Sequence, residues 1–162
     1  MAQRLGDGHT AGVESLERLL HERELTRLLV EYCALVDFGQ AERIADLFVP
    51  HGVWESSDGV QMAGQDAIRA GFARRQAITR RSARHVITNV ALDVEGDEAA
   101  RGRCYLINYR HDSPSGAAEV PAPVDHPKYV GEYHDHFVRT DEGWRFAHRR
   151  FELGFVRSLR QR

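Results

Sequence analysis

His85, Asp37 and Tyr32 are the residues whose types and spacing could carry chemistry in this chain. Imidazole, which ionises near ~6.5 as a residue type, is the side chain best matched to taking up a proton at neutral pH. A carboxylate bound to one imidazole nitrogen fixes the tautomer and stabilises the imidazolium formed on proton transfer. A phenol can donate a hydrogen bond to a substrate oxygen where negative charge gathers. Base, orienting acid and electrophile are the three roles these side chains would fill. Each has a structural alternative. His85 could be a satisfied strand histidine or a surface one beside Arg84. Asp37 could cap a helix beginning near Gln40. Tyr32 could be a core tyrosine with its hydroxyl tied to backbone. Positions i and i+5 lie about 140° apart around an ideal helix, so Tyr32 and Asp37 converge only if the helix ends near Val36.

Several elements must position them. Leu25, Leu28, Leu29, Tyr32 and Val36 recur at the spacing of an amphipathic helix, which begins near Val13 and is stopped by Gly39. A second short helix is expected over 40–48, with Ile44, Leu47 and Phe48 inward, broken by Pro50 and Gly52. Residues 53–55 read as a short strand and 65–79 as a third helix. Ala67, Ile68, Gly71, Phe72 and Ile78 mark its buried side. Arg74, Arg75, Arg80, Arg81 and Arg84 read as a solvated helix end. After Arg81 the period shortens to 2. In the strand 85–94, Val86, Val90, Leu92 and Val94 share one face and His85, Ile87, Asn89 and Ala91 the other. The strand 99–110 returns after the turn at Glu95-Gly96-Asp97, with Ala100, Gly102, Cys104, Leu106 and Asn108 inward. A long loop over 111–128 holds four of the five prolines, and such loops are often binding elements. Strands over 129–140 and 144–156 close the chain.

Helices first and long antiparallel hairpins later make an α+β domain. Strands of this length twist and curl, leaving a cavity against the helices. Asn89, Asn108, Trp54, Tyr133 and Asp135 are candidate lining residues. His134 and His136 form a His-x-His pair, read as a polar outer face rather than as a metal site; no ligand spacing nearby completes one.

The chain has 162 residues and a formal net charge of −2, enough for one domain and against nucleic acid or an anionic membrane as partner. Cys33 and Cys104 sit in apolar segments and read as reduced core residues of a cytoplasmic protein. No apolar run approaches the ~20 residues of a membrane span. Residues 1–12 read as a disordered leader, 13–157 as the single domain and 158–162 as a tail. No phosphate loop, nucleophile elbow or dinucleotide fingerprint is present, so no cofactor is implied.

The succession YCALVDFGQAERIADLF, GVWE, GQDAI, RHVITN and GEYHDHFVRTDEGWRFAHR resembles the SnoaL-like branch of the NTF2-like superfamily, over residues 16–151. The resemblance implies an NTF2-like cone: three N-terminal helices on a strongly curved, mostly antiparallel sheet. Within that superfamily the chain is similar to scytalone-dehydratase-like and bile-acid-dehydratase-like lyases in Tyr32, Asp37 and His85. It departs from the latter at Asn108, where they carry an acid, and at Leu153, where they carry a pocket arginine that Arg149 or Arg139 could replace. The resemblance implies a cofactor-independent lyase of dehydratase type. His85 and Asp37 would act as the base dyad, Tyr32 as donor, and a small apolar or aromatic molecule as substrate. Asn108, Asn89, Trp54, Tyr133 and Arg149 would bind it. The alternatives are an isomerase or polyketide-type cyclase with the same site, and a non-catalytic oxygenase subunit or binding module. A homo-oligomer, dimer or trimer, is expected.

Overall fold

The computed structural model describes residues 7–157, with side chains from Ser15 onward. Helix α1 spans Asp7–Asp37, followed by a 3-10 helix over Ala41–Leu47, strands β1 (Phe48–Ser56) and β2 (Gln61–Ala63), and helix α2 (Gln65–Gln76). Strands β3 (Arg81–Glu95), β4 (Ala99–Asp112), β5 (Tyr129–Thr140) and β6 (Gly143–Val156) complete the chain. They form one sheet in the order β2-β1-β6-β5-β4-β3. Only β1 and β6 run parallel. The result is the expected α+β cone, with helices on the inner side of a curved mixed sheet.

The apolar stripe of α1 is buried as its spacing dictates: Leu25, Leu28, Leu29, Tyr32 and Val36 all lie in the core. Each such side chain removed from water contributes roughly 1.5–3 kcal/mol, so this stripe ties α1 to the sheet. Strands β4 and β5 supply the facing wall through Ala100, Cys104, Leu106, Tyr133 and Phe137. Cys33 and Cys104 are both free and buried, as core residues should be. The fold departs from the sequence reading in four places. Helix α1 begins at Asp7, ahead of Val13. Of the leader and tail, residues 1–6 and 158–162 lie outside the described residues. Pro50 and Gly52 do not end an element; they fall inside β1, in the register break between Phe48 and Val53 where ladder bonds are already missing. Strand β2 was not legible, because three residues carry too little alternation to show.

The fourth departure concerns β3. A bulge between Thr88 and Ala91 breaks its register with β4, and Asn89 there takes a left-handed φ of 51°. One inserted residue reverses which side chains face inward. Ahead of the bulge, Ala83 is buried and Ile87 packs on the core; beyond it, Leu92 and Val94 pack there instead. Val86 and Val90 are exposed. Among the described residues, no helix is long and apolar enough to cross a membrane.

Candidate functional site

Asp37 is the last residue of α1, and the turn beyond it is closed by Gly39 at φ +77°. A carboxylate at a helix C-terminus opposes the helix dipole, a cost of about 0.3–1 kcal/mol. It is held there by one residue of β3. The His85 backbone N–H donates to Asp37 Oδ2 at 2.7 Å, and His85 Nδ1 lies 2.6 Å from Oδ1. Both carboxylate oxygens therefore grip the same residue, and both side chains are nearly enclosed. A carboxylate only accepts, so Nδ1 carries a proton, and in the neutral tautomer this selects Nε2 is the acceptor. The capping alternative for Asp37 does not hold: the 3-10 helix is preceded by Gln40, with no side-chain cap. The helix does end where Tyr32 and Asp37 can converge.

His85 and Tyr32 line one cavity of about 350 Å³ between α1, α2 and the inner face of the sheet. Its apolar wall includes Val36, Met62, Phe72, Leu106 and Phe151. Trp54 and Tyr133 also line it. Trp54 Nε1 donates to Tyr32 Oη at 3.0 Å. Burial raises the Tyr32 pKa far above its ordinary value, and neither the Arg149 charge nor the Trp54 bond offsets it. The phenol therefore keeps its proton, and with Trp54 filling an acceptor site that proton is available to an oxygen in the cavity. Tyr133 is raised likewise, mainly by burial. Asp37 also borders a second depression, of about 410 Å³, roofed by residues 118–124 of the long loop. That loop is tied to the start of β3 by bonds from Ser113 N to Arg80 O and from Ser82 Oγ to Glu119 O. It does not cover the His85 cavity.

Three expected binding residues lie elsewhere. Asn89 sits exposed at the bulge, paired with Thr88 Oγ1, because the inserted residue turns it out of the inner face. Arg149 is wholly buried in the core and does not line the cavity. It makes a bidentate ion pair with Asp135 at 2.9 and 3.0 Å, with its guanidinium over the rings of Tyr133, Tyr32 and Phe146 at 3.8–4.4 Å. Burial acts most strongly on the Arg149 pKa and lowers it, but Asp135 together with Tyr133, Tyr32 and Cys104 raises it overall. Burial raises Asp135 as well. The bidentate geometry is that of an ion pair. Arg139 packs against His21 instead. Asn108 faces His85 across the β3–β4 ladder but is buried outside the lining; its Nδ2 reaches Arg84 O at 3.4 Å and its Oδ1 has no partner. Leu153 lines the cavity.

Sequence reasoning missed Arg74, Arg75 and Arg81 as lining residues. The signal was present: Ile68, Phe72 and Arg75 follow i, i+4, i+7, so Arg75 extends the buried stripe of α2. His134 pairs with Glu132, and His136 meets His148 edge-on. Among the described residues, no group of three His, Cys, Asp or Glu side chains could hold a metal.

A cone with helices on its inner face and a mostly apolar chamber is the architecture of small-molecule-binding NTF2-like proteins. The chain belongs to the SnoaL-like domain family, matched over residues 17–150. No protein of curated function matches it in sequence. Among solved structures, it is similar to an NTF2-like protein with a cystatin-like fold from Novosphingobium aromaticivorans, at 24% identity and a TM-score of 0.75, over 91% of each chain. A protein from the same organism, provisionally named a scytalone dehydratase, shares 20% identity at a TM-score of 0.76, over 91% of this chain and 93% of that one. A third, provisionally named an aromatic ring hydroxylase, shares 20% identity at 0.70, over 86% and 93%. At these identities the likeness is one of fold.

Proposed function

We propose that the protein is a cofactor-independent lyase of dehydratase type. His85 Nε2 removes a proton from carbon next to a carbonyl or an aromatic ring. Asp37 holds the imidazole through Nδ1 and stabilises the imidazolium that forms. Tyr32 donates to the substrate oxygen that gathers charge, with Trp54 fixing the phenol. A leaving group on the adjacent carbon then departs, taking the electron pair, and the imidazolium can return the proton to it. The reading is carried by one observation: a histidine held through both its ring Nδ1 and its backbone N–H by one helix-end carboxylate, on the lining of a largely apolar chamber. Positioned acid–base catalysis of this kind supplies about 10²–10⁴-fold, and water exclusion and orientation supply more.

The test is turnover of a panel of ring ketones carrying a β-hydroxyl, followed by absorbance of the conjugated product and by mass. The wild-type protein should release water, with His85→Ala lowering kcat about 10³-fold or more and Asp37→Asn about 10²-fold. Full activity in His85→Ala would end this reading. The isomerase or cyclase alternative keeps the same dyad; a product of unchanged mass would favour it. Assembly into a dimer or trimer remains part of the proposal, to be read from light scattering.

A further inference from the structure

The chamber is not apolar throughout. Where α2 meets the start of β3, its wall carries three guanidinium groups, those of Arg74, Arg75 and Arg81. Arg81 has a partner: its Nε and Nη2 donate to Asp112 at 2.5 and 2.9 Å. That same carboxylate also takes two bonds from Arg110, at 3.1 and 2.6 Å. One acid thus answers two arginines. Arg74 and Arg75 have no hydrogen bond or ion pair through their side chains among the described residues. Arg75 is partly buried and extends the inward stripe of Ile68 and Phe72. The acids at hand are committed or distant: Asp37 is occupied by His85, and Asp58, on the rim, is exposed.

A guanidinium does not shed its proton in a protein, so Arg75 is a cation held partly out of water with no direct ion-pair partner among the described residues. Burial lowers its pKa, the like charges of Arg81 and Arg110 lower it further, and the more weakly acting Asp37 carboxylate, already bonded to His85, does not offset them. Such a group is costly unless something with the opposite charge joins it. The planar fork of arginine matches a carboxylate in two parallel hydrogen bonds, where a lysine would offer a point charge. The rest of the wall, Phe72, Trp54, Leu106 and Phe151 among it, matches a flat apolar body.

We propose that the substrate is an anion: an aromatic or fused-ring carboxylic acid whose carboxylate pairs with Arg75, with Arg74 adding charge at the rim, while the ring body extends across the chamber to His85. This rests on the same chamber being the substrate site and names the class of molecule it takes. Of the arginines expected as a solvated helix end, Arg74, Arg80 and Arg84 are indeed exposed, and Arg75 and Arg81 are the two drawn partly out of water.

Isothermal titration of the full chain with 2-naphthoate and with its neutral isostere 2-naphthamide tests it at pH 7 and low salt. The acid should bind about 10-fold or more tightly than the amide. Arg75→Gln should remove that preference while leaving amide binding unchanged, which also shows the chamber intact; Arg75→Lys should keep part of it. Equal affinity for acid and amide in the wild type, no binding of either, or an equal effect of Arg75→Gln on both would overturn the proposal. The measurement needs no turnover, so it separates from the fate of His85 as base: the preference should persist in His85→Ala even if that variant proved fully active.

Discussion

Tyr32 shows how one side chain can serve the core and the chemistry together. Its ring packs edge-on to Phe72, Tyr133 and Phe146 and lies under the Arg149 guanidinium. Its hydroxyl takes the Trp54 indole bond and keeps its own proton, because burial raises its pKa. The sign follows directly: a phenol raised above the ordinary ~10 stays neutral through every pH at which an imidazole base works. Tyr32→Phe should therefore lower kcat about 10–100-fold with no change in the shape of the pH profile, read from steady-state rates across pH. It also strands the Trp54 N–H, which should lower stability by about 1–2 kcal/mol in a denaturant titration. The Tyr32–Asp37–His85 set was legible as residue types. That Asp37 meets His85 was legible only as a condition, that the helix end near Val36, since no spacing rule states where a glycine stop will take effect.

At the scale of elements, the bulge in β3 decides the most. It lets one strand present His85 and Ile87 to the interior at one end and Leu92 and Val94 at the other. Asn89 holds the left-handed conformation this needs. Asn89→Gly should keep the thermal midpoint close to wild type, whereas Asn89→Val, whose branched side chain resists positive φ, should lower stability by about 1–2 kcal/mol in the same titration. This is also where period-2 reading failed. Alternation reads β4 and β5 correctly, as Cys104, Leu106, Tyr133 and Asp135 are all inward. In β3 it carries Asn89 to the wrong face, because a bulge adds a residue without leaving a mark in the hydrophobic pattern. The arginines on α2 were misread for a different reason. A charged side chain on an inward stripe is ordinarily taken as solvated, and only the folded arrangement shows Arg75 partly buried on the cavity wall.

At the scale of the whole molecule, two arginine–aspartate centres hold buried or half-buried charge apart from the dyad. Asp135 and Arg149 sit at the middle of the core, behind the chamber wall. Breaking the pair leaves an uncompensated charge, so Arg149→Met should destabilise by about 3–5 kcal/mol, and the double variant Arg149→Met with Asp135→Leu should recover much of it in denaturant unfolding. Asp112 anchors the second centre, held far below its ordinary pKa first by Arg81 and then by Arg110. A carboxyl depressed on folding contributes stability that is complete above its unfolded value of ~3.9 and is lost as pH falls below it. Asp112→Asn should thus cost about 2 kcal/mol at neutral pH and flatten the acid limb of the stability curve below about pH 4, as followed by thermal melts.

The dyad itself is tested most directly by exchange of hydrogen for solvent deuterium at the carbon next to a ketone, followed by proton NMR. A suitable pair of probes is 2-tetralone and its ring-carboxylated analogue, since exchange needs the base and no leaving group. The wild-type protein should accelerate exchange in at least one of them, and His85→Ala should return the rate to that of buffer. Exchange as fast in His85→Ala as in the wild type would mean that another group takes the proton, and that the imidazole held by Asp37 is not the base.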